Sequence, residues 1–401
     1  MSEIFIGRQP IFDRKLDVYG YELLFRSGEA MQHAAVVDGD QATSRVMLNS
    51  FIDIGLNNLV GKHKAFINLT RYFLEDPERV VIPTEQTVLE VLEDIEPDDE
   101  IVNTLTILKN KGYCIALDDF VFEENLQPLV DLAEIVKIDI MPLDDATISE
   151  HAVSLKQQGK KILAEKVETH EQYEFLKDLG FDYFQGYFFA RPMVVTGQSL
   201  KSNKVGLLRL LALINKPGVS ISDLSQVIST DIALSHKLLK IINSPMFGVG
   251  GKVVSIRHAV VLLGLNKVTN WASLIALASN SDKPHELGIL ALTRARVCEL
   301  LAGAAAIQKA DSFFTVGLFS LLEAMMDQPI EDLLLELPLP DELKSALINN
   351  TGIYGQAISC AIAMERNDVE QMSFSDLTVE DLSSVYLEAL LWSEKQSRLL
   401  D

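Results

Sequence analysis

Eight polar residues interrupt otherwise apolar stretches in the first half of the chain: Glu22, Asn68, Glu90, Asp118, Asp119, Lys137, Glu165 and Gln185. With the two aspartates taken as one step, their spacings are 46, 22, 28, 19, 28 and 20 residues, which match successive βα units. Carboxylates with an Asn amide oxygen form a hard donor set, suited to Mg²⁺, Mn²⁺ or Ca²⁺ rather than to thiolate-preferring metals. The adjacent pair Asp118–Asp119 can reach a second ion, and two ions roughly 3.5–4 Å apart clamp a phosphodiester and activate water. Lys137 can offset phosphoryl charge, and Glu165 can serve either as a ligand or as the base for that water. A single acid at a strand end is ordinary; seven such steps in series are not.

The elements that must position these residues are short apolar runs at 64–69, 87–92, 113–119, 134–139, 161–167 and 182–189. Polar, helix-like stretches such as 98–112 follow them, which indicates βαβ units and a parallel sheet. Residues 4–26 read as two strands joined by a polar turn near Arg14–Asp17, so an antiparallel strand opens the domain. The expected class is α/β plus all-α: a TIM-like (β/α)8 barrel with an antiparallel opening strand, then an all-helical domain. In such a barrel the carboxyl ends of all strands meet on one face, where residues distant in sequence can form one cluster.

After Arg191-Pro192 the alternation stops, and 194–204 reads as a linker rich in turn formers. The segment 222–229 sets Leu224, Val227 and Ile228 on one helical face, and Thr230 and Asp231 offer N-caps for the next helix. The segment 255–264 ends on Gly264, and Asn266 can cap the helix after it. A last helix from about Val379 to Leu399 carries Leu382, Val385, Tyr386, Ala389 and Leu390 as a packing stripe. His236 and His258 lack partner carboxylates at a useful spacing and read as packing or surface residues. The run 247–254 fails the Walker pattern at Met246 and Val253 and reads as a turn. The segment 258–273 imitates a helix-turn-helix, but Val268, Trp271 and Leu274 surround Lys267 and Asn270, so a packed helical hairpin is expected.

Composition narrows the partners. The chain has 401 residues, 48% of them apolar, with 57 acidic against 35 basic side chains and a net charge of −22. Residues 1–200 hold 18 basic and 35 acidic side chains, so most of the acid excess sits in the first half. That balance argues against nucleic acid bound over a broad basic face, but not against a small phosphate ligand or a divalent cation. Cys114, Cys298 and Cys360 are odd in number and far apart, which suits a reducing compartment. No secretory signal opens the sequence and no apolar run reaches the roughly 18 residues of a membrane helix, so a soluble, cytoplasmic protein is expected.

The motifs also carry a resemblance. The segments GRQPIFD and GYELLFR, FINLT, LEVLE, ALDDF, VKID, AEKVET and FQGYFFARP stand in the order of the EAL domain of cyclic di-GMP phosphodiesterases, over essentially residues 1–195. The resemblance implies Glu22, Asn68, Glu90, Asp118, Asp119 and Glu165 as metal ligands or their neighbours, with Glu165 and Lys137 catalytic. It implies Gln9, Arg26 and Gln185 at the substrate, and Glu93, Asp139 and Glu168 in support. It further implies Mg²⁺ or Mn²⁺, in a two-metal site if active, and hydrolysis of one bond of cyclic di-GMP to give pGpG. Three departures matter. Val121-Phe122-Glu123-Glu124 replaces the Gly-Thr-Gly usual after Asp-Asp-Phe, Lys166 stands where Gly is expected, and Leu23 replaces Ala. Weak or conditional hydrolysis therefore stands beside an alternative, a cyclic di-GMP receptor or interaction scaffold without turnover.

Residues 205–401 resemble the HDOD domain through 224–248, 255–271 and FFTVGLFSLL. No His-Asp dipeptide occurs anywhere in the chain, so this half is expected to be non-catalytic and to meet an unidentified protein partner. The expected divisions are 1–195, a linker at 196–204, and 205–401. A homodimer is left open, and no membrane partner is expected.

Overall fold

The structure is a computed structural model. It describes residues 4–27, 55–93, 95–120, 124–191, 210–216, 218–230, 255–278, 283–337 and 339–400, with Leu234, Leu238, Leu239, Ile242, Asn243 and Val253 between them. The chain divides into two compact units, one formed by Met1–Phe189 with Glu365–Asn367 and the other by Ala190–Met364 with Asp368–Asp401.

The first unit is a closed barrel of eight strands in sequence order. The strands are β1 (Ile4–Asp13), β2 (Val18–Ser27), β3 (Lys64–Leu69), β4 (Thr87–Val91), β5 (Cys114–Leu117), β6 (Ile135–Asp139), β7 (Lys161–Glu165) and β8 (Tyr183–Gln185). β1 runs antiparallel to both neighbours, β2 and β8, while every other adjacent pair is parallel. The opening hairpin turns where expected, because the Asp13 carboxylate accepts the backbone N–H of Lys15 at 2.8 Å and of Asp17 at 3.0 Å. The 98–112 stretch forms the helix Asp99–Asn110, capped by Asp98, whose carboxylate accepts the Ile101 N–H.

Inside the barrel, Ile11, Phe66, Val88, Ala116, Ile135, Leu163 and Tyr183 form one buried layer. Side chains alternate faces along a strand, so residues two positions on point into the same interior. Those residues are Asn68, Glu90, Asp118, Lys137, Glu165 and Gln185. The apolar layer therefore floors the polar cluster, and each polar residue is aimed by the core residue beneath it.

The expected strand at 182–189 stops at Gln185. Gly186 takes φ of 145°, and a Cβ there would lie 2.1 Å from the Val167 carbonyl oxygen, so the backbone turns away and continues as a 3₁₀ turn at Phe188–Ala190.

Among the described residues the second unit is helical. The helix His285–Ala304 buries residues all round, including Leu287, Ile289, Leu292, Val297 and Leu301, and packs on Ala310–Phe319 and Val379–Leu400. The close approach needs Gly317, where a Cβ would meet the Arg294 carbonyl oxygen at 2.6 Å. Leu382, Val385, Tyr386, Ala389 and Leu390 are all buried, as their spacing predicts. Leu224 and Ile228 are likewise fully buried, and Val227 is half-buried.

One capping expectation fails. Asn266 lies inside the helix Leu265–Ala278, because Gly264 (φ 88°) makes the break alone and leaves no residue for a separate cap. Its amide instead donates to the Asp311 carboxylate at 3.3 Å. Thr230 is the last residue of the helix Ile221–Thr230, and most of the segment it is expected to cap lies outside the described residues. Asp231, His236, the altered loop 121–123, the linker at 194–204 and most of 247–254 lie outside the described residues. The hairpin reading of 258–273 holds. Val268 and Trp271 are buried, while Asn270 donates to the Asp311 carbonyl at 3.2 Å and accepts from the Thr315 hydroxyl at 2.8 Å. His258 is exposed.

Candidate active site

The polar residues carried by successive strands meet around one ammonium. Lys137, fully buried, places Nζ at 2.6 Å from Asp118 Oδ1, 2.8 Å from Glu90 Oε1, 2.9 Å from Glu165 Oε1 and 3.7 Å from Glu22 Oε2. Glu22 is held from the other side by amides: Gln185 Nε2 donates to Oε2 at 2.6 Å, and Asn68 Nδ2 donates to Oε1 at 3.4 Å. Gln185 Nε2 also donates to Gln9 Oε1 at 2.9 Å, which is geometrically natural because Gln9 faces Glu22 across the β1–β2 ladder.

Four carboxylates around one cation leave an excess of negative charge in a dry interior, which is costly without further compensation. Burial pushes the Glu165 carboxyl up to about 8, against the pull of the Lys137 ammonium. Burial likewise holds the Glu90 carboxyl well above its usual range. The surrounding carboxylates, with Glu165 foremost, raise the Lys137 ammonium despite its own burial.

These shifts give a sign for stability. Folded Glu165 keeps its proton in a range where the unfolded chain releases it, so its contribution is complete below 4.5 and is lost as pH rises through about 8. The metal-free protein is therefore expected to melt at progressively lower temperature across that window, with a shallower slope in Glu165→Gln. Thermal melts in chelator check this, and equal slopes would remove Glu165 as the source.

Asp118 and Asp119 diverge. Asp118 turns inward to Lys137, whereas Asp119, with φ of 39°, has Oδ2 at 3.9 Å from Lys166 Nζ. Lys166 in turn lies 2.5 Å from Asp139 Oδ2. Asp139 is thus a bridge partner of Lys166 at the rim, and Glu93 and Glu168 are exposed. Of the supporting trio, none joins the inner cluster. The backbone of Arg26 pairs with Phe5 in the β1–β2 ladder, and its side chain lies outside the described structure. Beside Asp118 and Asp119 a cavity of about 270 Å³ is lined by Glu93, Glu96, Phe120 and Asn125 among others. Nothing in the sequence singles out Glu96 or Asn125, because neither belongs to a periodic apolar run.

Among the described residues no group of three or more His, Cys, Asp or Glu stands ready-made to hold a metal ion; the acids gather on Lys137 instead. The donor chemistry nevertheless fits a hard cation. Asn68 Oδ1, Glu90 Oε2, Asp119 Oδ1, Glu165 Oε2 and Gln185 Oε1 are buried and accept no hydrogen bond. Unpartnered carboxylate and amide oxygens are the ligands that Mg²⁺ and Mn²⁺ take.

A barrel whose strand ends converge on acids and one lysine, followed by a helical unit, defines the class, and comparison agrees with it. The EAL domain family matches residues 8–192, and the HDOD domain family matches residues 202–326. The YuxH protein of Bacillus subtilis (strain 168) is 34% identical over 403 residues, covering 97% of this chain and 98% of its own length. The protein named cyclic di-GMP phosphodiesterase CdgJ, of Vibrio cholerae serotype O1, is 34% identical over 408 residues, covering 100% of this chain and 94% of its own. The structure of the Klebsiella pneumoniae BlrP1 manganese/cy-diGMP complex is similar at 24% identity with a TM-score of 0.40, over 46% of this chain and 55% of that one. The chain belongs to the family of proteins that join an EAL domain to an HDOD domain.

Proposed function

We propose that this chain is a signalling phosphodiesterase that hydrolyses cyclic di-GMP to pGpG in the cytoplasm, with Mg²⁺ or Mn²⁺ as cofactor. The observation that carries this reading is the convergence of Glu22, Glu90, Asp118 and Glu165 on Lys137 at the carboxyl ends of the strands. CdgJ, related over the whole chain, supplies the substrate class.

Glu22, Asn68, Glu90, Asp118, Asp119 and Glu165 are the residues that would hold the metal. When bound, a divalent ion supplies Lewis acidity toward a phosphoryl oxygen and lowers the pKa of water. Glu165 Oε2 is assigned the proton of the attacking water, a reading supported by its burial without a hydrogen-bond partner. The water oxygen then bonds to phosphorus, one ester P–O bond breaks, and the departing ribose oxygen takes up a proton. Lys137 keeps its ammonium against Glu165 Oε1 at 2.9 Å, orienting that carboxylate and offsetting charge on the phosphoryl group. Gln9, Gln185 and Arg26 are assigned to substrate contact, the Arg fork to a phosphate. Glu93, Asp139 and Glu168 support the rim.

The domains run 1–195 and 205–401 with a linker at 196–204, and the helical part is non-catalytic and meets a protein partner. Among the described residues no helix is long and apolar enough to cross a membrane. Titration of the full-length protein with cyclic di-GMP, in Mg²⁺ and in Mn²⁺, is expected to show binding and pGpG formation together, and Glu22→Ala is expected to abolish turnover. A receptor reading draws on Lys137 filling the centre of the acids; tight binding without turnover in either metal would establish it instead.

A further inference from the structure

The acids at the mouth of the barrel are divided between two lysines. Lys137 is surrounded by four carboxyl groups, of which burial favours the protonated form of Glu90 and Glu165, so once a cation displaces those protons one positive charge stands against four negative. Lys166 lies 2.5 Å from Asp139 and 3.9 Å from Asp119, so the outer group sets one positive charge against two negative. Both oxygens of Asp139 are already engaged, Oδ2 with Lys166 and Oδ1 with the backbone N–H of Met141 at 2.9 Å. The lysine is presented there by its backbone, since Lys166 takes φ of 57°, a left-handed conformation uncommon for a residue other than glycine. Adjacent Asp118 and Asp119 are thereby pulled to different cations, and Asp119 itself takes φ of 39°.

We infer that the Lys166 ammonium stands in for one of two divalent cations, so that this site binds a single metal ion. The inference rests on the metal-dependent reading above and specifies its stoichiometry. The inner group has surplus negative charge for a dication even with Lys137 present. The outer group does not, because a second dication there would have to approach Asp119 against a neighbouring ammonium that already ties up Asp139. Like charges at such separations weaken binding by at least about tenfold even at a partly screened surface. Lys166 is a positioning residue in this scheme and touches neither substrate nor reacting atoms.

The test counts ions without nucleotide. Full-length wild-type protein, Lys166→Arg, Lys166→Gln and Lys166→Gly are titrated with Mn²⁺ by calorimetry, with electron paramagnetic resonance reporting coupling between neighbouring Mn²⁺ ions. Glycine suits the left-handed backbone and glutamine keeps the length without charge, so one variant answers if the other folds poorly. Wild type and Lys166→Arg are expected to bind one Mn²⁺ per chain, and the two neutral variants to bind two with a coupled spectrum. Two tight ions in wild type, or one ion in both neutral variants, would overturn the inference while leaving a metal-dependent phosphodiesterase intact. No Mn²⁺ bound to any variant would overturn the metal-dependent reading and this inference with it.

Discussion

Lys137→Met is expected to destabilise the metal-free protein by about 3–5 kcal/mol, the usual consequence of removing one partner from a buried ion pair. Domains are stable by only about 5–15 kcal/mol, so this is a large fraction of the total. The cause lies in the geometry. Glu90 is fully buried and the carboxylates of Asp118 and Glu165 are nearly so, and all three sit within 2.9 Å of the same Nζ. Methionine fills much of the lysine stem but supplies no charge, leaving the acids to repel one another in a dry interior.

Two further outcomes separate this cause from simple loss of packing. The destabilisation should shrink toward acid pH, because burial already favours the protonated forms of Glu90 and Glu165, and protonated carboxyls need no counter-charge. It should also shrink in excess Mn²⁺, which substitutes charge for the missing ammonium. Denaturant melts in chelator and in Mn²⁺, at acid and neutral pH, check both. A methionine variant as stable as wild type in chelator would show that the ammonium does not hold the acids together.

Glu165→Gln is expected to lower the rate of pGpG formation by about 10²–10⁴-fold, the range lost when a general base is removed, while cyclic di-GMP binding changes little. Glutamine has the same shape and can still meet Lys137 through its carbonyl oxygen, so the pocket should keep its form. It cannot take a proton at the position of Oε2. Measuring the nucleotide's Kd and the single-turnover rate on the same protein separates the two effects. Unchanged turnover would assign the proton acceptor elsewhere. A parallel loss of binding would make Glu165 a ligand-holding residue first.

Much of the barrel was legible because two periodicities coincide. Strand alternation picks out Phe66 then Asn68, and Ile135 then Lys137, as residues on one face. The recurrence of such pairs at βα intervals places them on successive strands of one closed sheet. The run 64–69 is β3 to the residue, and the helical stripe from Leu382 to Leu390 is buried throughout. These are local patterns, set by chain geometry and the need to bury apolar surface. The early stop of β8 was not legible, since it depends on how closely Val167 approaches Gly186 across the sheet. Nor was the failure of the expected cap at Asn266, whose amide donates instead to Asp311, on a helix 45 residues away.

The site divides the same way. By itself the sequence determined which residue types would line the mouth of the barrel and in what order, because each is tied to its own strand. Only the tertiary structure decided which acid answers to which lysine. Asp118 and Asp119 are neighbours of identical chemistry, yet one turns in to Lys137 and the other out toward Lys166. Glu93 and Glu168 remain exposed, while Glu90 and Glu165, three residues before each, are buried. Charge pairing is a matter of distances across strands, and those distances exist only once the barrel has closed.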